Sequence, residues 1–168
     1  MTNKPEKDSL QETPRILVIS GNKTVRRSIA AILQAQEYLT ETVETGKEAI
    51  EKSKSNFYNL VLTDVRLPDM MGTRAIFEMN ETMPPMIKVI IADDSTLPKA
   101  VDAVNDGADA CILIPTEPEK LINLVKKGLK KQENAKRFSE QLLAQFIETR
   151  TKEIVQTQRQ TIAIKADS

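Results

Sequence analysis

The chain has 168 residues, 24 Lys plus Arg balanced by 24 Asp plus Glu, no histidine and one cysteine, Cys111. That length supports one compact domain of about 100–150 residues with an appendage. The charge balance provides no global field toward nucleic acid or an anionic membrane. A single cysteine excludes an internal disulfide and a Cys-based zinc site, and without histidine the chain lacks the commonest metal ligand and neutral-pH general base.

In chain order, residues 1–14 ("MTNKPEKDSLQETP") carry charges, two prolines and few apolar side chains, a composition expected of a mobile tail and not of a signal peptide. No apolar run approaches the roughly 20 residues of a spanning helix, so a reduced, cytoplasmic setting is expected. From Ile16 the chain alternates short apolar runs with amphipathic stretches. The runs are "ILVI" (16–19), "NLVLT" (59–63), "IKVIIA" (87–92) and "ACILI" (110–114), with a weaker edge-strand signal in "YLTETV" (38–43). Between them, Val25, Ile29, Ile32 and Leu33 share a helical face. Ala49 and Ile50 follow Gly46, Ala75, Ile76 and Met79 follow Gly72, and Ala100, Val101, Ala103 and Val104 follow Thr96. Five strands and five helices in alternation predict a doubly wound α/β domain over residues 15–130, with its functional residues at the carboxyl ends of the strands.

After Pro118 no strand signal returns. Leu121, Leu124, Val125, Leu129, Phe138, Leu142, Phe146 and Ile147 recur every three or four residues. They predict a helix of about 45 residues, roughly 65 Å long at 1.5 Å per residue. Residues 131–168 are read as a helical extension whose apolar stripe needs cover, with Phe138, Leu142 and Phe146 as the residues of a two-stranded coiled coil. A helix folded back on its own domain is the other arrangement. The stripe weakens after Ile147, where Thr149, Gln156 and Gln160 take seam positions.

Strand three ends at Asp64 in "LVLTDVRLPDMMG". A strand-end Asp followed by Pro68 and Gly72 resembles the phosphoacceptor loop of bacterial response-regulator receiver domains. Arg26, Gly46, "GAD" at 107–109 and Pro115 fall at matching offsets. The resemblance implies a flavodoxin-like five-stranded parallel sheet of order 2-1-3-4-5 and places the phosphoacceptor at Asp64. It also implies an acidic Mg²⁺-binding pair after strand one, a lysine before the proline after strand five, a switch hydroxyl at the end of strand four and an aromatic switch on strand five. This chain has Ser20 and Gly21, Ile114, Ala92 and Cys111 at those positions. Phosphoryl transfer to a carboxylate depends on cations that neutralise the developing charge, so these residues describe a degenerate receiver. No cofactor is expected, and Mg²⁺ only where the site still functions.

Asp93 and Asp94 lie at the same sheet edge, where they could join Asp64 in a weak substitute metal site or simply form a capping loop with Ser95 or Thr96 as N-cap. Cys111 reads as a small core residue or a redox sensor. The methionines at 70, 71, 79, 83 and 86 read as packing or an adaptable surface, and "KKGLKK" (126–131) as a solvated helix face or a phosphate contact. Further along, "RTKEIVQTQRQTI" resembles the signalling helix that joins receivers to HD-GYP cyclic di-GMP phosphodiesterase domains. The chain as a whole reads as a regulatory module and not an enzyme. A homodimer is expected, with a sensor histidine kinase or an HD-GYP-like output domain as partner and no nucleic acid or membrane contact. The alternatives are a working phosphoacceptor at Asp64 with an atypical site, and a constitutive dimerisation stalk.

Overall fold

The computed structural model describes residues 12–166, so most of the expected tail, residues 1–11, lies outside the described residues. The elements run β1 (Arg15–Ile19), α1 (Lys23–Ala35), β2 (Leu39–Val43), α2 (Gly46–Ser55), β3 (Leu60–Asp64), α3 (Gly72–Glu78), β4 (Ile87–Ala92), α4 (Leu97–Asn105), β5 (Ala110–Leu113) and α5 (Pro118–Ala166). All five strands pair in parallel in the order β2-β1-β3-β4-β5. The expected five-stranded doubly wound sheet is therefore present, with boundaries shifted by a residue at β1, β2, β3 and β5.

Successive side chains on a strand point to opposite faces, and this chain fills both. Leu17, Ile19, Val61 and Ile90 join Tyr58, Ile76 and Ala100 in one buried cluster. Ile16, Val18, Leu62, Val89 and Ile91 join Ile29, Leu33, Leu121 and Val125 in the other. A strand covered on both faces needs a continuous apolar run, which is why β1, β3 and β4 stand out in sequence. The edge strand β2 exposes Leu39 and buries Val43, hence its weaker signal.

The chain divides into two compact units, one ending at Gln132 and the other beginning at Glu133. In the first, Leu121 and Val125 of α5 are buried in the core. A methyl group on Gly128 would stand 3.0 Å from Ile87 Cγ2 and 3.2 Å from Leu60 Cδ1, so the helix lies close on the sheet there. The apolar series of α5 forms two surfaces, since Leu121 and Val125 belong to the domain core while Phe138, Leu142 and Phe146 are 62%, 50% and 62% exposed.

The second unit is a helix whose described residues after Glu133 are all exposed. Ion pairs Arg137–Glu133 (2.7 Å) and Lys152–Glu148 (3.0 Å) lie along it at helical i,i+4 spacing. Such exposed pairs stabilise a helix by only about 0.3–0.5 kcal/mol each. Among the described residues, no helix is long and apolar enough to cross a membrane.

Candidate functional site

The pairing of Ile19 with Thr63 and of Asp64 with Ile91 brings the carboxyl ends of β1, β3 and β4 together. One step beyond Ile19 lies Ser20, fully buried. Its hydroxyl donates to Asp64 Oδ2 at 2.6 Å, and the Gly21 amide donates to the same oxygen at 3.2 Å. The Ser20 carbonyl accepts from Arg26 Nη1 at 2.7 Å, which ties the first turn of α1 to the same corner. Asn22 caps that helix by accepting from the Thr24 and Val25 amides.

Burial pushes the Asp64 carboxyl above its ordinary value, opposed by the Ser20 and Gly21 hydrogen bonds and the Arg26 charge, with the Asp93 carboxylate adding to the rise. Desolvation of the charged form outweighs the donors around it.

Gly72 holds the loop after β3 in place. Its amide donates to the Val65 carbonyl at 2.8 Å, and a methyl group there would stand 1.8 Å from the Asp64 carbonyl oxygen and 2.7 Å from Thr63 Oγ1. Only a residue without Cβ allows that approach. In the same loop Asp69 accepts from the Gly46 and Lys47 amides at 2.9 Å each. These bonds, the one from Lys47 foremost, hold its carboxyl below the usual range. Asp69 thus satisfies two orphan amides at the start of α2. Sequence reasoning missed this role, although the "LPD" tripeptide and the glycine-opened helix were both in view.

The other expected positions are apolar or self-contained. Ala92 is buried at the end of β4, and Cys111 packs, partly buried, against the same core cluster. Ile114 packs against the opposite cluster, and its amide donates to the Ala92 carbonyl at 2.7 Å. Where the resemblance implies a lysine, the chain therefore has a partly buried apolar side chain packed against the core. Asp93 is occupied with its own turn: Oδ1 accepts from Ser95 Oγ at 2.6 Å and from the Thr96 amide at 2.9 Å. The Ser95 bond, with the Thr96 bonds behind it, holds the Asp93 carboxyl below the ordinary value. Thr96 takes the N-cap position of α4 without a side-chain cap bond to the helix, so the loop's stabiliser is Asp93.

A hard divalent cation needs several oxygen ligands in near-octahedral geometry. Among the described residues, no three His, Cys, Asp or Glu side chains converge to hold one. With Asp64 Oδ2 already accepting two hydrogen bonds, the residues present do not fit the Mg²⁺ arrangement that the resemblance implies.

The profile of the family described as response regulator receiver domain matches residues 16–126. Response regulator ArlR of Staphylococcus saprophyticus is 29% identical over 118 residues, 70% of this chain and 53% of its own length. ArlR of Staphylococcus aureus is 25% identical over the same extent. The chain thus spans about half the length of these curated relatives. Among solved structures, a CheY-like response regulator receiver domain protein of Methanospirillum hungatei is 32% identical with a TM-score of 0.67, covering 73% of this chain and 98% of that one. NtrX of Brucella abortus, 23% identical with a TM-score of 0.71 over 77% of this chain and 29% of its own, shares the fold. With strand order, the strand-end Asp64 and a profile match over most of the chain in agreement, the protein belongs to the response regulator receiver domain family.

Proposed function

We propose that this receiver has given up the usual phosphoryl chemistry and serves as a regulatory module that dimerises through α5 and relays its state to an output domain or partner. The observation that carries the reading is the pairing of Asp64 Oδ2 with Ser20 Oγ at 2.6 Å, in the corner where a metal-binding acid is expected. Without the acidic pair, the lysine and the switch hydroxyl, transfer to Asp64 lacks metal, counter-charge and readout together. Removing a single well-placed electrostatic donor commonly costs about 10²–10³ in rate.

Dimerisation is supported by the exposed series Phe138, Leu142, Leu143, Phe146 and Ile147. Buried apolar side chains contribute about 1.5–3 kcal/mol each, and a matching helix of a second copy would cover them. The likeness of "RTKEIVQTQRQTI" to a signalling helix favours an output domain of the HD-GYP kind, and a sensor histidine kinase is the expected input partner.

Incubation with Mg²⁺ and a small-molecule phosphodonor, followed by intact-mass measurement, should leave the chain unmodified. A phosphoryl adduct that is absent from Asp64→Asn would establish the competing reading, a working phosphoacceptor with an atypical site. For the dimer, light scattering at tens of micromolar should give twice the chain mass, falling to the chain mass in Phe146→Glu. A monomer in both forms would overturn it.

A further inference from the structure

At the end of the first unit, α5 carries a buried glutamine, a residue type usually left at the surface. Gln132 is 5% exposed. Its Nε2 donates to the Asn59 carbonyl and to the Pro85 carbonyl, each at 3.0 Å, and its Oε1 accepts from Asn59 Nδ2 at 3.0 Å. All four polar functions of the pair are engaged, because Asn59 Oδ1 accepts from the Arg15 amide at 2.8 Å. Asn59 is also held by its backbone: its amide donates to the Arg15 carbonyl at 2.8 Å, and its carbonyl accepts from the Ile87 amide at 3.0 Å. One side chain of α5 is therefore bonded to the residue that stands where β1, β3 and β4 begin. Just before it, Lys131 Nζ meets Asp109 Oδ1 at 2.8 Å, and Asp109 Oδ2 accepts from the Lys88 amide.

We propose that Gln132 is a coupling pin, the positioning residue through which the receiver sets the axial position and rotational phase of α5 up to the end of the first unit. This rests on the reading that α5 carries the output. Apolar burial of Leu121 and Val125 is non-directional, whereas three hydrogen bonds from one planar amide to two carbonyls and an amide have a single good geometry. An exposed ion pair such as Lys131–Asp109 cannot replace them, since its geometry is loose and its contribution small. The pin is also the last side chain of the first unit that the described residues bury.

The test is intramolecular, so it does not depend on the dimer. Spin labels are placed at Lys99→Cys and Lys130→Cys, both within the first unit, in a Cys111→Ser background, with excess unlabelled protein to suppress distances between copies. The wild-type pin should give one narrow distance distribution by pulsed electron resonance. Gln132→Leu, which keeps the bulk and removes all three bonds, and Gln132→Glu, which sets a carboxylate against two carbonyl oxygens, should split or broaden it. Amide exchange of β1, β3 and β4 should stay protected, which separates loss of positioning from general unfolding. Should Gln132→Leu fail to fold, the unbranched Gln132→Met serves the same comparison, and Lys131→Ala should leave the distribution unchanged. A broad distribution with Gln132 intact, or distributions of the folded variants that superimpose on it, would overturn the proposal.

Discussion

The two ends of β3 are held by different physics. At the carboxyl end, Asp64 sits against the Ser20 hydroxyl and the Gly21 amide, and the following loop is secured by a backbone approach that only Gly72 permits. At the amino end, Asn59 and Gln132 bond to each other and to three segments of backbone. Beside them Arg15 pairs with Glu41 at 2.7 Å, stacks 5.4 Å from the Tyr58 ring centroid, and the Tyr58 hydroxyl donates to Glu41. The end where family resemblance leads one to look for ionic chemistry is built from hydrogen bonds to one carboxylate and from capping loops, and the end with no expected chemistry holds an interlocked amide pair beside an Arg–Glu–Tyr cluster. The amide pair ties α5 to the strand starts, whereas the bonds around Asp64 tie the strand end to the start of α1.

The comparison can be broken most forcefully at Gly72. Gly72→Ala forces its methyl group into the Asp64 carbonyl and should cost about 3 kcal/mol or more, because the obstacle is backbone and not a side chain that can swing aside. The urea midpoint measures it. At the other end, Asn59→Ala leaves the Arg15 amide and Gln132 without their partners in a buried setting and should cost about 2–3 kcal/mol. If that loss exceeded the loss at Gly72, steric closure would not be the dominant constraint on the strand.

A subtler difference lies in the pH dependence of Asp64→Asn relative to wild type. Because burial raises the folded-state pKa of Asp64, its contribution to stability is fully present below the ordinary carboxylate value of about 3.9 and is lost as pH rises through the raised value. The variant lacks that loss, so its stability relative to wild type should climb across the same window and then level off. A flat difference would mean that the hydrogen bonds offset the burial. Glu41 has the opposite sign: burial pushes it up, but the Tyr58 hydrogen bond and Arg15 together leave it lowered. Its contribution is present above the ordinary value and lost as pH falls, so only the difference between variant and wild type isolates Asp64. The smallest effect belongs to Lys131→Ala, whose exposed ion pair should change stability by no more than about 0.5 kcal/mol.

Much of the fold was legible because parallel strands covered on both faces must be largely apolar, as "ILVI" is throughout and "IKVIIA" is apart from Lys88, and that pattern survives any choice of neighbours. Asp64 was legible for the same reason, as the first charged residue after such a run. Asp69 and Asn59 were not, since a carboxylate that caps a distant helix and an amide that accepts from a neighbouring strand have no periodicity of their own. In α5 the three-and-four spacing is the same whether the helix faces its own sheet or another molecule, so spacing alone does not separate Leu121 from Phe138; the length of a helix of about 45 residues, which outruns its domain, does.

The sequence by itself determined the alternation of strands and helices, the absence of an acidic pair before α1 and the amphipathic character of α5, because each is a local matter of residue type and spacing. Only the tertiary structure decided that Ser20 takes the oxygen of Asp64, that Ile114 packs against the core, and that the first unit ends at a hydrogen-bonded glutamine. Those outcomes depend on which strand ends and loops meet in space, and residues 20 and 64, or 59 and 132, are brought together by the register of the sheet and the packing of α5 upon it.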